Sequence, residues 1–270
     1  MKICRAHLLL MLAGVTLTLA KAALAQEPGG TARPETDRLV NLDTPYIPPK
    51  GLASYHFDLR PFGSLEDNFY GSIEADYAFR QNLGLIFRAT MGGTKNLVNT
   101  GFASIRHGGN EFEFLAKFRP MHTTNIAAEI GLTIADTPAQ KDVFFSGQLP
   151  MEHPLGHRLT LYLVPKAVLI KDNALVGLGG GLHVRVTNQI ALVGDVTGIL
   201  AGDNTRNAFT GNRESAEVWG VAIRYTPNPL NYSFTMDLGV TNGLGSTTGF
   251  SMTPGLGGSS AFYFGATFRR

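Results

Sequence analysis

Charged and titratable side chains recur at alternate positions along most of this chain: His56, Asp58 and Arg60; Glu74 and Asp76; Arg88; Glu111, Glu113, Lys117 and Arg119; Glu129; Lys166; His183 and Arg185; Asp195; Arg224; Asp237. Acids and bases nearly balance. Side chains of both signs on one inner wall can do one of two things. They can line a polar passage for solutes, as charged rings do in channels. They can also pair with each other and fill a narrow interior, because a buried charge must be compensated.

Other clusters carry weaker chemistry. Ser104, His107 and Glu111 supply the residue types of a hydrolase triad, but no signature surrounds them. His153 and His157 are four apart, with Pro154 and Gly156 between them. They cannot share a helical face as metal ligands, and a turn is the expectation. Gly177-Leu178-Gly179-Gly180-Gly181 has the glycine content of a phosphate loop, but a strand rather than a helix follows it. A strand that packs closely inside a barrel, or is kinked, fits better. The loop Gly202 to Asn207 lacks the spacing of a calcium loop. The sequence therefore supports no cofactor and no metal.

The elements that must carry these charges have a period of two. Ala53, Tyr55, Phe57 and Leu59 alternate with Ser54, His56, Asp58 and Arg60, which places the two sets on opposite faces of a strand. The rhythm recurs near residues 69–80, 83–91, 111–119, 126–134, 142–151, 159–169, 176–186, 190–199, 218–225, 232–240 and 260–268. That gives about twelve strands, with ten or fourteen as alternatives, since Pro150 weakens the stretch from Asp142 to Met151. Strands of about ten residues are long enough to cross a membrane at a tilt. The polar phase mixes single charges with Gly, Ser, Thr and Ala, unlike a Lys/Glu-rich soluble surface. Aromatic residues such as Tyr55, Tyr77, Phe79, Phe118 and Tyr225 fall on the apolar phase and near strand ends. The expected fold is all-β: a closed antiparallel up-and-down transmembrane β-barrel over residues 52–268.

The first residues read as an export signal: Lys2 and Arg5, an apolar run from Leu8 to Ala20, then Ala23-Leu24-Ala25, with cleavage expected near Ala25. Removing Lys2, Arg5 and Lys21 takes Lys plus Arg from 23 to 20 against 21 Asp plus Glu, so the net charge moves from +2 to −1. That balance gives no support to a nucleic-acid partner. The only cysteine, Cys4, lies in this segment, which excludes disulfide and thiol chemistry from the remainder. Residues 26–51 read as a Pro-rich periplasmic tail. The loops near 92–109, 199–215 and 242–259 are long and polar, and are expected outside the barrel.

The last strand, Phe262-Tyr263-Phe264-Gly265-Ala266-Thr267-Phe268, resembles the closing strand of bacterial outer-membrane β-barrel proteins. The resemblance implies an outer-membrane location and recognition of Phe264 and Phe268 by the barrel assembly machinery. The chain departs from that pattern because Arg269 and Arg270 follow the aromatic. Lipid and the assembly machinery are the expected partners, with small polar solutes as candidate passengers. The function expected is passive passage of such solutes. The alternatives are a structural or interaction barrel with a blocked lumen and a barrel hydrolase.

Overall fold

The structure is a computed structural model that describes residues 37–62, 69–93, 110–120, 125–137, 140–170, 173–206, 212–228, 233–255 and 258–270. The segment read as an export signal, residues 26–36 of the tail, and Ser104 and His107 lie outside them.

Twelve strands form the wall: β1 Ala53–Pro61, β2 Phe69–Arg80, β3 Leu83–Gly93, β4 Asn110–Phe118, β5 Ala128–Thr137, β6 Gln140–Gln148, β7 Leu159–Ile170, β8 Asn173–Arg185, β9 Ile190–Ala201, β10 Val218–Tyr225, β11 Phe234–Thr241 and β12 Ala261–Arg269. Each pairs antiparallel with its sequence neighbours. The ring closes where β1 meets β12, from Ser54 opposite Arg269 to Leu59 opposite Phe264. Closure leaves no strand edge unpaired in the ring, which is what a sheet surrounded by lipid requires.

Pro150 interrupts β6, as its missing N–H and fixed φ dictate. The strand resumes at Met151–Leu155. Both pieces pair with β7: Gln148 lies opposite Lys166 and Met151 opposite Leu163. The count of twelve survives because the two pieces share one partner.

The alternation read from sequence becomes two faces. Asp58 and Arg60 are buried, while Tyr55, Phe57 and Leu59 between and beside them are exposed. The exposed phase carries the aromatics Phe69, Tyr77, Phe79, Phe114, Phe118, Phe264 and Phe268. This wall is inside out relative to a soluble protein: large apolar side chains face outward all round the ring, and charges face in.

The interior is not empty. Residues 37–48 are buried throughout, although the sequence reads as a tail outside the barrel. Residues 242–255 are likewise buried rather than forming an outer loop. Two interior apolar clusters explain why. Leu39, Val40 and Leu42 pack with Tyr162, Val164, Val193, Ala222 and Tyr263. Leu244, Phe250 and Met252 pack with Phe62, Tyr70, Phe144, Val168 and Leu175. Both segments hide apolar side chains that the wall alone would leave in water, and burying a Leu or Phe is worth about 1.5–3 kcal/mol.

Phe87 lies mid-strand on the outer phase, its ring centroid 5.0 Å from that of Phe114, while Arg88 is fully buried. Phe87→Arg is expected to cost about 2–4 kcal/mol in reversible unfolding from lipid vesicles. Wild-type stability for that variant would mean that the two faces are assigned the wrong way round.

Candidate functional site: the filled lumen

Sixteen of the seventeen charged positions singled out above are buried on the inner phase. Arg119 is half-buried just past the end of β4, its N–H donating to the Asn82 carbonyl. The register brings the inner charges together in specific pairs. Glu74 lies opposite Arg88 across β2 and β3, and Lys117 opposite Glu129 across β4 and β5.

Arg88 is the centre of the larger group. Its guanidinium lies 2.8 Å from Glu74, 2.9 Å from Asp43, 3.1 Å from Glu113 and 3.4 Å from Glu129. Lys117 adds contacts of 3.1 Å to Glu129 and 3.9 Å to Asp76. On the other side, Arg224 binds Asp237 through two nitrogens at 2.7 Å each, the planar fork that suits a carboxylate. Arg60 donates to Asp58 at 2.8 Å and lies over the Tyr263 ring. The imidazole of His56 lies 2.9 Å from the Thr267 hydroxyl.

The inserted N-terminal stretch is a short hairpin. Arg38 and Asp43 form an antiparallel bridge, and the Leu39 N–H donates to the Leu42 carbonyl. Its base is held where the ring closes. Asp37 accepts from Arg269 at 2.8 Å and from the Ser54 hydroxyl. Arg269, the residue that departs from the usual closing-strand pattern, therefore anchors this insert and also covers the Tyr46 ring. Arg38 reaches Glu74 at 2.6 Å. Asp43 accepts from Arg88 and Gln148. Burial alone would push the Asp43 carboxyl up, but the charges of Arg88, Arg38, Lys117 and Lys166 outweigh it and hold the group below its usual value.

The hairpin tip fits because three wall positions opposite it are glycines. A Cβ on Gly179 would overlap Leu42, one on Gly181 would overlap Leu39, and one on Gly220 would overlap Val40. The glycine run in β8 is thus a seat for the insert.

The second insert enters from the opposite end. Its backbone and hydroxyl groups are taken up by the wall. The Thr247 hydroxyl lies 2.5 Å from Glu111, and the Thr248 N–H donates to Glu113. Asn204 of the β9–β10 connection donates to the Met252 carbonyl at 2.7 Å. The two inserts meet at Asn41. Lys166 donates to the Asn41 carbonyl at 3.1 Å and to the Ser251 hydroxyl at 2.9 Å. Arg60 bridges the Asn41 side chain and the Gly243 carbonyl. Asp195 accepts from the Asn41 N–H and side chain.

His183 and Arg185 are buried near the end of β8. His153 and His157 are exposed on the hairpin that joins β6 to β7. Glu111, the acid of the triad considered above, is engaged by Thr247. Sequence reasoning missed every residue of the two inserts. Only the inward-facing glycines signalled that something must fill the space before them.

No protein-family model and no curated protein matches this sequence. Solved structures do. An outer membrane channel from Pseudomonas putida F1 is 11% identical, with a TM-score of 0.52 over 89% of this chain and 99% of that one. A KdgM porin in complex with disordered oligogalacturonate is 9% identical, with a TM-score of 0.50 over 80% of this chain and 98% of that one. The fold is that of bacterial outer-membrane β-barrel proteins.

A Cβ branch at Gly181 removes the space for Leu39. In refolded protein carrying Cys4→Ser and a Val40→Cys reporter, Gly181→Val is expected to raise the rate of thiol labelling at position 40 at least tenfold. Labelling as slow as in the Gly181 parent would mean that the glycine seat does not hold the hairpin. Because the Asp43 carboxyl is depressed when docked, its contribution to docking is complete above the ordinary carboxylate pKa of about 4. It is lost only as pH falls below that value, so protection of the reporter should persist from pH 8 to pH 5.

Proposed function

We propose that this protein is an outer-membrane channel for small polar solutes that rests in a closed state, its lumen occupied by residues 37–48 and 242–255. One observation carries the reading: the strand ladder closes on itself without either insert. Every wall strand finds both partners in the ring, so withdrawing the inserts breaks no wall hydrogen bond and uncovers the inward charges together with the apolar wall residues beneath the inserts. Besides the apolar packing, the inserts are held by hydrogen bonds and ion pairs, which water or a polar solute can replace. The solved structures of like fold are a channel and a porin by name, which agrees with this reading without specifying a solute.

The mature barrel, after removal of residues 1–25, would sit in the outer membrane with its aromatic outer face in lipid. Phe264 and Phe268 face outward in β12, and Phe268 packs against Phe57 and Phe234. They are available to the assembly machinery before the ring closes. Catalysis forms no part of the proposal.

The apolar clusters around Leu39 and Phe250 favour a second reading, a permanently filled barrel that acts through its outer loops. Planar-bilayer recording separates the two. The wild type should be closed for most of the record, with brief openings. Lys166→Met removes the donor shared by Asn41 and Ser251 and should raise the open fraction about tenfold. If neither protein conducts, although both show the heat-modifiable gel mobility of a closed barrel, the filled-barrel reading replaces the channel.

A further inference from the structure

The buried charges are sorted by side. On β2–β6 the buried side chains include five carboxylates, Glu74, Asp76, Glu111, Glu113 and Glu129, against Arg88 and Lys117. On β1 and β7–β12 they include three carboxylates, Asp58, Asp195 and Asp237, against Arg60, Lys166, Arg185 and Arg224. Arg269 adds a fifth cation at the end of β12. At formal charge, one half of the wall is acidic and the facing half basic. Among the described residues, three carboxylate oxygens of the acidic half, Asp76 Oδ1, Glu111 Oε1 and Glu129 Oε1, are buried without a hydrogen-bond partner, the last of them 3.1 Å from the Lys117 ammonium. The acidic half thus has more acceptor capacity than its own residues use.

The inserted hairpin already spans this divide with one ion of each sign. Arg38 places its guanidinium on Glu74 of the acidic half. Its neighbour Asp37 places its carboxylate on Arg269 of the basic half. The backbone between them is fixed by Arg224, which donates to the Arg38 carbonyl at 2.9 Å. Asp43 runs the other way and sits on Arg88, adding a carboxylate to the acidic half. The excess of negative charge there therefore persists with the hairpin docked.

We propose that the lumen takes dipolar solutes, small molecules that carry an ammonium and a carboxylate at once, and that Asp37-Arg38 is a tethered stand-in for them. This rests on the channel reading above and gives it a substrate class. The solute's ammonium takes the place of Arg38 at Glu74, and its carboxylate takes the place of Asp37 at Arg269. A monoanion is attracted by one half and repelled by the other, and a monocation likewise. A zwitterion lying over β1, between Glu74 on β2 and Arg269 on β12, is attracted by both, with ion pairs that are little screened in so enclosed a site. A neutral solute gains neither contact.

Glycine and its uncharged isomer glycolamide have the same atoms and nearly the same size, so they isolate the dipole. In proteoliposomes containing the full-length protein, glycine is expected to enter at least three times faster than glycolamide. Asp37→Asn with Arg38→Gln frees both ends of the divide and should raise glycine entry further, widening the ratio. Heat-modifiable mobility confirms that the variant is folded. Equal entry of the two isomers in wild type and variant would overturn the dipolar-solute proposal and leave the channel standing. Entry of neither isomer, in either protein, would overturn the channel reading itself.

Discussion

Arg88 is fully buried, and four carboxylates from three strands and an insert converge on it within 3.4 Å. Most of the interior follows from that arrangement. An arginine stays charged at any accessible pH, so its burial demands compensating carboxylates. Those carboxylates in turn exceed it in charge. Lys117 offsets part of the excess from within the wall. Arg38 and Asp43 join the network together when the N-terminal stretch enters the barrel, one charge of each sign. Removing one partner from such a network costs about 3–5 kcal/mol, because it strands a charge rather than merely losing a contact. The hairpin thus takes its position from the same ionic network that links β2, β3, β4 and β5.

The apolar seat and the ionic network divide the work of docking. Leu39, Val40 and Leu42 gain from leaving water wherever they are packed, so their burial alone does not fix a register. The glycines of β8 and β10 supply the register, since the inner face is flat enough for these side chains only beside Gly179, Gly181 and Gly220. Ion pairs then select the orientation, with Asp37 at Arg269 and Arg38 at Glu74. Lys166 and Arg60 extend the arrangement to the second insert, because each donates to both segments. The two ends of the barrel are therefore coupled through Asn41 rather than filled independently.

The wall was legible from the sequence and its contents were not. Period-two alternation survives because each strand meets lipid on one side and charge on the other, so every residue of Tyr55-His56-Phe57-Asp58 reports its own face. The tight turn at Arg80-Gln81-Asn82 likewise brings Glu74 or Asp76 within reach of Arg88 on sequence grounds, and the register selects Glu74. The inserts have no such periodicity. Leu39, Val40 and Leu42 stand among prolines and polar residues and look like a linker, because their partners are Tyr162, Val193 and Tyr263, more than a hundred residues away. Residues 242–255 are rich in Gly, Ser and Thr, the composition of an exposed loop. Here the same small polar residues satisfy the backbone of a buried one, as the Thr248 N–H at Glu113 shows. Local composition says that a loop's polar groups need partners, but not whether those partners are water or a wall.

A charged inner wall is compatible with both a closed and an open state, and an apolar one would not be. With the inserts in place, charges are compensated by pairing at contacts such as Arg38–Glu74 and Asp37–Arg269. With the inserts withdrawn, water enters and solvates the same groups, so the desolvation cost that made pairing obligatory disappears. The free energy of opening is then a difference between two well-satisfied arrangements rather than the full cost of breaking buried ion pairs. The apolar seats shift that difference toward closure, since Leu39, Leu42, Phe250 and Met252 lose their packing on withdrawal while the ions lose little. Closure thus rests on the hydrophobic clusters, and the ion pairs decide where the closing segments fit and which polar groups can take their place.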